Sequence, residues 1–256
     1  MSWIDDIADV GKTVIGVFSG NDTGAVLART ALMAYGLNQL TKNNDKGSGD
    51  PTSTTPDAGT RLQLNPGTTN SVPVVYGSAF LGGIITDAEI SNSNKTMHYC
   101  ITICEKTGTK LSDSTASTFT FEDIYWNDQR LVFDTNGIDA TYSVDRDGNV
   151  DYSVAGQVKV YCFAGSSTTP VVPDNYTNGS LNPAYSIMPN WTSNHTMDDL
   201  VFAIVRVDYS REKNITQLPT LKFHITNSMT QPGDCIYDYM TNTRYGAGID
   251  PTEINS

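Results

Sequence analysis

Short segments in which apolar and polar residues alternate fill the chain from 72 to 226, and they limit the fold more than any other feature. This pattern is typical of strands that bury one face, and Gly, Pro, Asn and Asp interrupt it as turn residues do. The predicted strands are Val72–Tyr76, Ala79–Thr86, Met97–Glu105, Thr118–Trp126, Gln129–Phe133, Thr141–Val144, Val150–Val154, Gln157–Ala164, Leu200–Tyr209 and Leu221–Thr226. The sequence therefore predicts a mainly β fold of antiparallel strands.

Two turns and one apolar run refine this prediction. Asn127-Asp128 carries a hairpin signal, and the DRDGNVD run from Asp145 to Asp151 predicts a second hairpin. That run resembles a small calcium loop, but an EF-hand requires a Glu at its twelfth position, where Gly156 stands. The run VFAIVRV within Leu200–Tyr209 predicts a strand in the middle of a sheet.

Charge and cysteine content exclude several classes of function. A net charge of −12 argues against a surface that grips DNA or RNA and against docking on anionic lipid. The cysteines are too sparse for a disulfide scaffold, and we expect buried reduced thiols. Strand alternation predicts that Cys100 and Cys104 share one face with Thr102 between them. The histidines are scattered, so no metal site and no other cofactor is expected.

The first 70 residues differ in composition from the rest. Residues 1–41 predict a helical N-terminal arm, and its second helix should run from Gly24 to about Leu40. An apolar seam on that helix, suited to docking on a neighbouring subunit, contains Val26, Met33, Leu37 and Leu40. A membrane-active plug is the alternative use. Residues 42–70 predict a polar linker, and residues 71–256 a β-rich region with a long loop at 166–198.

The segment from Asp234 to Ile249, DCIYDYMTNTRYGAGI, predicts a short helix followed by a glycine turn. Asp234 is expected to cap the first turn of a helix that spans about Asp234–Thr243. Gly246 and Gly248 then allow backbone angles that other residues resist. The pattern alone predicts a capped helix that closes a domain.

Two stretches of the sequence carry a family resemblance. The C-terminal segment resembles the YDLLTNxRYGxG signature of J-like phage tail-tip proteins, the host specificity or central tail hub family. Upstream, PVVYGSAFLGG is similar to the PVVYGxxxxGG stretch of the same proteins. The two stretches bracket the chain from about Leu62 to Ile249. The matching residues, taken as signature and assembly residues, are Pro73, Tyr76, Gly77, Gly82, Gly83, Tyr237, Asp238, Thr241, Asn242, Arg244, Tyr245, Gly246 and Gly248.

The resemblance implies a structural virion protein at the distal end of a phage tail, made in the host cytoplasm, and not an enzyme. Such a hub consists of antiparallel β-barrel or sandwich domains and is a trimer. It closes or extends the tail tube, joins it to the host-recognition apparatus and permits genome passage. The implied partners are the tail tube or distal tail protein, the tape-measure protein and further tail-tip or fibre proteins. DNA is expected only in transit.

Two other classes of function fit the residues. An adhesin or carbohydrate-binding β-sandwich would use Tyr176 and Trp191 of the 166–198 loop to stack on sugar rings. A wall-degrading hydrolase would use two carboxylates, but the sequence favours no particular pair. It also contains no nucleophile elbow, H-E-x-x-H pair, phosphate loop or dinucleotide glycine fingerprint.

Overall fold

The structure, a computed structural model, describes residues 60–61, 71–174, 176 and 181–254. The predicted N-terminal arm, with Val26, Met33, Leu37 and Leu40, lies outside the described residues, as does most of the predicted linker. Over the described part the fold is mainly β, with strands arranged in two sheets, as the sequence predicts.

The strands occupy the described chain in close succession. They are β1 (Thr60–Arg61), β2 (Ser78–Leu81), β3 (Ile84–Ser91), β4 (Thr96–Glu105), β5 (Phe119–Trp126), β6 (Gln129–Phe133), β7 (Ala140–Val144), β8 (Val150–Asp151), β9 (Val158–Ala164), β10 (Pro170–Val171), β11 (Leu200–Asp208) and β12 (Leu221–Asn227). A seven-stranded sheet has the order β1-β2-β12-β5-β6-β7-β8, and a five-stranded sheet the order β10-β9-β11-β4-β3. Neighbouring strands are antiparallel except β1 and β2, which are parallel. The predicted central position of β11 is confirmed.

The two sheets pack face to face and bury a shared apolar core. The seven-stranded sheet contributes Phe121, Ile124, Phe223 and Ile225, and the five-stranded sheet contributes Ile101, Val160, Val201, Ala203 and Val205. Most of these side chains are fully buried, and each aromatic ring transferred from water stabilises the fold by roughly 1.5–3 kcal/mol. The arrangement is a sandwich. No closed barrel is found among the described strands, so that part of the prediction is not confirmed.

A second core lies on the outer face of the five-stranded sheet. The segment from 181 to 199, which includes a 3₁₀ turn at Ala184–Ser186, folds over this face. Its Ala184 and Met188 are buried against Phe163, Phe202 and Ile204 of the sheet. The predicted long loop at 166–198 therefore contains strand β10 and a cover for the sheet.

Three predicted strands differ from those observed. Val72–Tyr76 forms no strand and contributes only an isolated bridge from Val74 to Glu105. Ala79–Thr86 divides at Gly82-Gly83 into β2 and β3, which belong to different sheets. Gly83 has a φ of +70°, and a Cβ there would lie 2.5 Å from the Ile101 side chain, so the crossover requires glycine. Val150–Val154 shortens to the two residues of β8.

The prediction that Cys100 and Cys104 share one face is wrong. Cys100 lies in the second core, whereas Cys104 lies between the sheets. A bulge in the pairing of β4 with β11 falls opposite Val201 and Phe202, and it shifts the alternation by one residue. All four cysteines are free, and only Cys235 is partly exposed. Burial raises the pKa of the Cys100 thiol to about 12, so that thiol stays protonated and unreactive.

Two helices complete the described chain, α1 (Pro232–Thr241) and α2 (Pro251–Ile254). The predicted helix is confirmed with its bounds moved by two residues, but the prediction that Asp234 caps it is wrong. Gln231 occupies the cap position, and Pro232 begins the helix because its missing N–H needs no partner in the first turn. Asp234 and Asp238 are buried, whereas Ile236 and Tyr239 are exposed. Helix α1 therefore packs against the rest of the fold through two buried carboxylates.

Candidate functional site

The two signature stretches meet beside the end of β4. The Tyr76 hydroxyl of the first stretch donates to Asp238 Oδ2 of the second at 2.7 Å. The Tyr245 hydroxyl donates to the same oxygen at 2.6 Å, and the backbone N–H of Gly108 donates to Oδ1 at 2.9 Å. We call these four residues the tyrosine–aspartate clamp. It ties residues that lie 162 positions apart in sequence to a single carboxylate.

The clamp places a carboxylate in a nearly dry site with neutral donors. Asp238 is only 5% exposed, and three hydrogen bonds replace the water that an ionised carboxylate would otherwise need. Burial, together with the bond to Asp238, raises the pKa of both Tyr76 and Tyr245 well above its ordinary value. Both hydroxyls therefore remain protonated donors at physiological pH.

Helix α1 presents a second carboxylate one turn before the clamp. Asp234 accepts hydrogen bonds from the backbone N–H of Ser112 at 2.8 Å and from its hydroxyl at 2.6 Å. The loop between β4 and β5 therefore supplies a donor to each buried aspartate of the helix. Gly108 has no room for a side chain, because a Cβ would lie 2.7 Å from Asp238 Oδ1. Neither Gly108 nor Ser112 was predicted from the sequence, since neither belongs to a recognisable pattern.

Arg244 makes a separate link to the end of β4. Its Nε lies 2.8 Å from Glu105 Oε2, which makes the two side chains an ion pair. Burial raises the pKa of Glu105, and the Arg244 charge opposes that shift. The backbone N–H of Glu105 donates to the Pro73 carbonyl at 2.9 Å. Residues of both signature stretches therefore contact the same end of β4.

The turn after α1 explains several other signature residues. Asn242 Oδ1 accepts the backbone N–H groups of Arg244 at 2.8 Å and Tyr245 at 3.3 Å, which directs the tyrosine back towards the clamp. A Cβ on Gly246 would lie 2.0 Å from the carbonyl oxygen of Tyr239, so only glycine fits there. Thr241 donates its hydroxyl to the Tyr237 carbonyl at 2.8 Å, within the helix. Gly248 has a φ of +65°, as its predicted role requires.

The buried side-chain amide of Asn227 holds the first signature stretch in place. Gly77, with a φ of +73°, accepts the backbone N–H of Asn227 at 2.8 Å. Asn227 is fully buried, and its Nδ2 donates to the Val75 carbonyl at 2.7 Å and to Thr107 Oγ1 at 2.8 Å. Ser117 extends this network by bonding both the hydroxyl and the carbonyl of Thr107. Asn227 was missed because an asparagine after a predicted strand resembles an ordinary turn residue.

The two aromatic residues expected to stack on sugar rings contact residues outside the clamp. The Tyr176 hydroxyl accepts the backbone N–H of Phe133 at 3.0 Å, and its ring packs edge-on against the Phe133 ring. Trp191 donates its Nε1 proton to Asp87 Oδ2 at 2.7 Å and stacks on His195 with ring centres 5.4 Å apart. Both side chains are half-buried and contact their own chain.

The described residues offer little to a small ligand or a metal. Within them, no group of three or more His, Cys, Asp or Glu side chains is placed to hold a metal ion. A cavity of about 60 Å³, lined in part by Glu122, Asp123, Arg130 and Asp174, has room for a few water molecules. The DRDGNVD run forms a hairpin turn, with Asp145 Oδ1 accepting the N–H groups of Asp147 and Asn149.

Comparison with known proteins gives no match for this chain, either among protein-family models or among curated proteins. Among the helices that the structure describes, none is both long and apolar enough to cross a membrane. The function is therefore inferred from the signature residues and their contacts.

Proposed function

We propose that this chain is a structural subunit of the distal tail of a bacteriophage, a hub that closes or extends the tail tube. The observation that supports this most is the meeting of the two family-like stretches at Asp238. Tyr76 and Tyr245 each occupy a signature position, and each donates to the same carboxylate oxygen. Two unrelated chance matches would have no reason to share a buried hydrogen-bonding centre.

In such a hub the tyrosine–aspartate clamp keeps the subunit rigid. It fixes α1 and the glycine turn onto the sandwich through buried hydrogen-bonding groups, and leaving such groups unpaired would raise the free energy of the folded state. The signature residues therefore maintain the shape of the subunit, and the surfaces around them are left for assembly. A tail-tip subunit has to keep its shape until the genome is released.

The proposed hub is a homo-oligomer, most simply a trimer around the tail axis. It contacts the tail tube or distal tail protein, the tape-measure protein and further tail-tip or fibre proteins. The chain carries 28 Asp and Glu residues against 16 Lys and Arg. An acidic inner wall would keep DNA from adhering as it passes, because lysines and arginines there would bind phosphates and release their counterions.

The carbohydrate-binding alternative is less well supported. It depended on Tyr176 and Trp191 as sugar platforms, and both side chains are engaged within the chain. Sugar stacking needs an open aromatic face, whereas one face of Trp191 is taken by His195.

Immunogold electron microscopy of tailed particles that carry this chain tests the proposal. An antibody raised against residues 71–254 should place gold at the distal tip of the tail, and prior absorption of the antibody with purified chain should abolish the labelling. Gold on the capsid or along the tube, or a chain absent from purified particles, would refute the proposal. Binding of the isolated chain to a glycan array without any particle labelling would favour the adhesin instead.

A further inference from the structure

The outer face of the seven-stranded sheet carries a strip of apolar side chains that crosses nearly its full width. The strip contains Phe80 on β2, Tyr125 on β5, Val132 on β6, Tyr142 and Val144 on β7, Val150 on β8, and Tyr152 just beyond it. The cross-strand pairs Val132–Tyr142 and Val144–Val150 place these side chains next to one another. All are half-buried or exposed, with Val150 and Tyr152 the most open at 46% and 66%.

This face differs from the outer face of the other sheet. The five-stranded sheet is covered by residues 181–199, which bury Phe163, Phe202 and Ile204 in the second core. The side chains of the strip belong to neither core. Within the described residues, no comparable segment covers the seven-stranded sheet.

The basic groups on this face already have acidic partners. Lys222, which lies opposite Tyr125, forms an ion pair with Asp128. Arg130 Nη1 lies 3.7 Å from Asp123 Oδ1. His224 stacks on the Phe80 ring with centres 4.1 Å apart and accepts or donates a hydrogen bond with Ser78. The face therefore suits an apolar occupant with little charge.

The chain enters the described fold at the edge of this same face. In β1, Thr60 pairs with Phe80, the first residue of the strip. The preceding sequence contains the seam Val26, Met33, Leu37 and Leu40 within residues 24–40, where Arg29 is the sole charged residue. Residues 41–59 span up to roughly 60 Å when extended, at about 3.3 Å each. The sheet is about 30 Å wide for seven strands spaced about 4.8 Å apart.

We propose that the apolar strip is the docking surface for residues 24–40 of a neighbouring copy of this chain. The connecting residues are about twice as long as docking within one copy requires, so the arm can also reach the strip of an adjacent copy, and the proposed hub holds such copies side by side. An arm that leaves one copy and docks on the next is a head-to-tail contact, and such contacts form a ring when the rotation between successive copies closes. The inference rests on the proposed hub and deepens it, since it names the surface and the segment that join its subunits.

Disulfide trapping between two tagged versions of the full chain tests the exchange. One version carries Leu37→Cys with the first tag, and the other carries Val132→Cys with the second tag. Both contain Cys235→Ser, because Cys235 is partly exposed while the remaining cysteines are buried. After co-expression and mild oxidation with copper phenanthroline, we expect a covalent dimer that carries both tags. A single chain with both new cysteines that closes only on itself would show docking within one copy and overturn the exchange.

A charge substitution provides the second measurement. Val132→Asp should reduce the mass in solution from a multiple of 27.8 kDa to 27.8 kDa with an unchanged circular dichroism spectrum, because Val132 points away from the core. The matched control is Ile90→Asp, which alters an exposed aliphatic residue on β3, the edge strand of the other sheet, and should leave the mass unchanged. A wild-type oligomer that neither cross-links nor responds to Val132→Asp would refute the docking surface but leave the hub proposal standing. A wild-type chain that is a monomer at every concentration would contradict both.

Discussion

Replacing the two clamp tyrosines with phenylalanine, singly and together, should reveal a strong coupling between the ends of the chain. Tyr76→Phe and Tyr245→Phe each remove one hydroxyl from Asp238 Oδ2 and leave the rings in place. In either single variant the oxygen keeps one tyrosine donor. In the double variant Oδ2 loses both, while Oδ1 keeps the Gly108 N–H. A buried carboxylate oxygen is then left without its donors.

The expected magnitudes follow from the cost of losing hydrogen bonds to a charged group. Each single variant should lower the free energy of unfolding by about 1.5 kcal/mol, the lower end for bonds to an ionised partner, because both tyrosines are only half-buried. The double variant should lose about 4–6 kcal/mol, because an unpaired buried acceptor adds about 1–3 kcal/mol of desolvation cost. The coupling energy is thus about 1–3 kcal/mol, within the range for residues in one network.

Urea unfolding followed by tryptophan fluorescence measures these differences, and a double-mutant cycle gives the coupling. Tyr239→Phe is the matched control, since it removes the same hydroxyl from an exposed tyrosine on the same helix. Its effect should lie within about 0.5 kcal/mol, as for other surface substitutions. Single losses no larger than that of the control, with a double variant that equals their sum, would refute the clamp.

Three further outcomes are expected. Gly246→Ala should destabilise the fold by about 2–4 kcal/mol in urea, since its Cβ would meet a backbone carbonyl oxygen at 2.0 Å. Gly233→Ala in α1 is the control, because its Cβ meets nothing within 4 Å and the change should be neutral or stabilising. Arg244→Ala should lower the free energy of unfolding by about 1–3 kcal/mol at neutral pH, because it leaves the Glu105 carboxylate without its ion-pair partner. This loss should shrink in acid, because Glu105 has a raised pKa and becomes neutral as the pH falls through that pKa. Burial, with Arg206 nearby, lowers the pKa of His98 in the folded state. The unfolded chain therefore binds a proton at this position more readily, so the free energy of unfolding is maintained above pH 6.5 and falls as the pH drops below it. His98→Gln should reduce that fall in a series of melting temperatures measured against pH.

Much of the sheet structure follows from alternation alone. The predicted β6 matches the observed strand at both ends, and β4, β5, β7, β9, β11 and β12 each differ by one residue at one end. These strands bury one face or lie mid-sheet, and their side-chain pattern is therefore set by burial. The errors fall where tertiary contacts override the pattern. A bulge opposite Val201 separated Cys100 from Cys104, and the crossover at Gly83 assigned one apparent strand to two sheets.

Three of the four clamp residues could be predicted from the sequence, but Gly108 and the contacts among the four could not. The resemblance identified Tyr76, Asp238 and Tyr245, but spacing along the chain carries no information about which hydroxyl meets which carboxylate. Asp234 was predicted to cap α1, yet it lies with Asp238 on the buried face of the helix. Carboxylates can replace apolar residues there only because the loop at 108–112 supplies donors, and nothing in the helix sequence indicates that loop.

A reconstruction of the intact tail tip by electron cryomicroscopy tests the account most directly. We expect density for residues 71–254 repeated around the tail axis, most simply three times, with each arm resting on the apolar strip of its neighbour and carboxylates facing the bore. A tip that lacks this chain, or that holds it as a single copy beside the axis, would contradict the proposed hub. A ring with a basic inner wall would contradict the account of DNA passage.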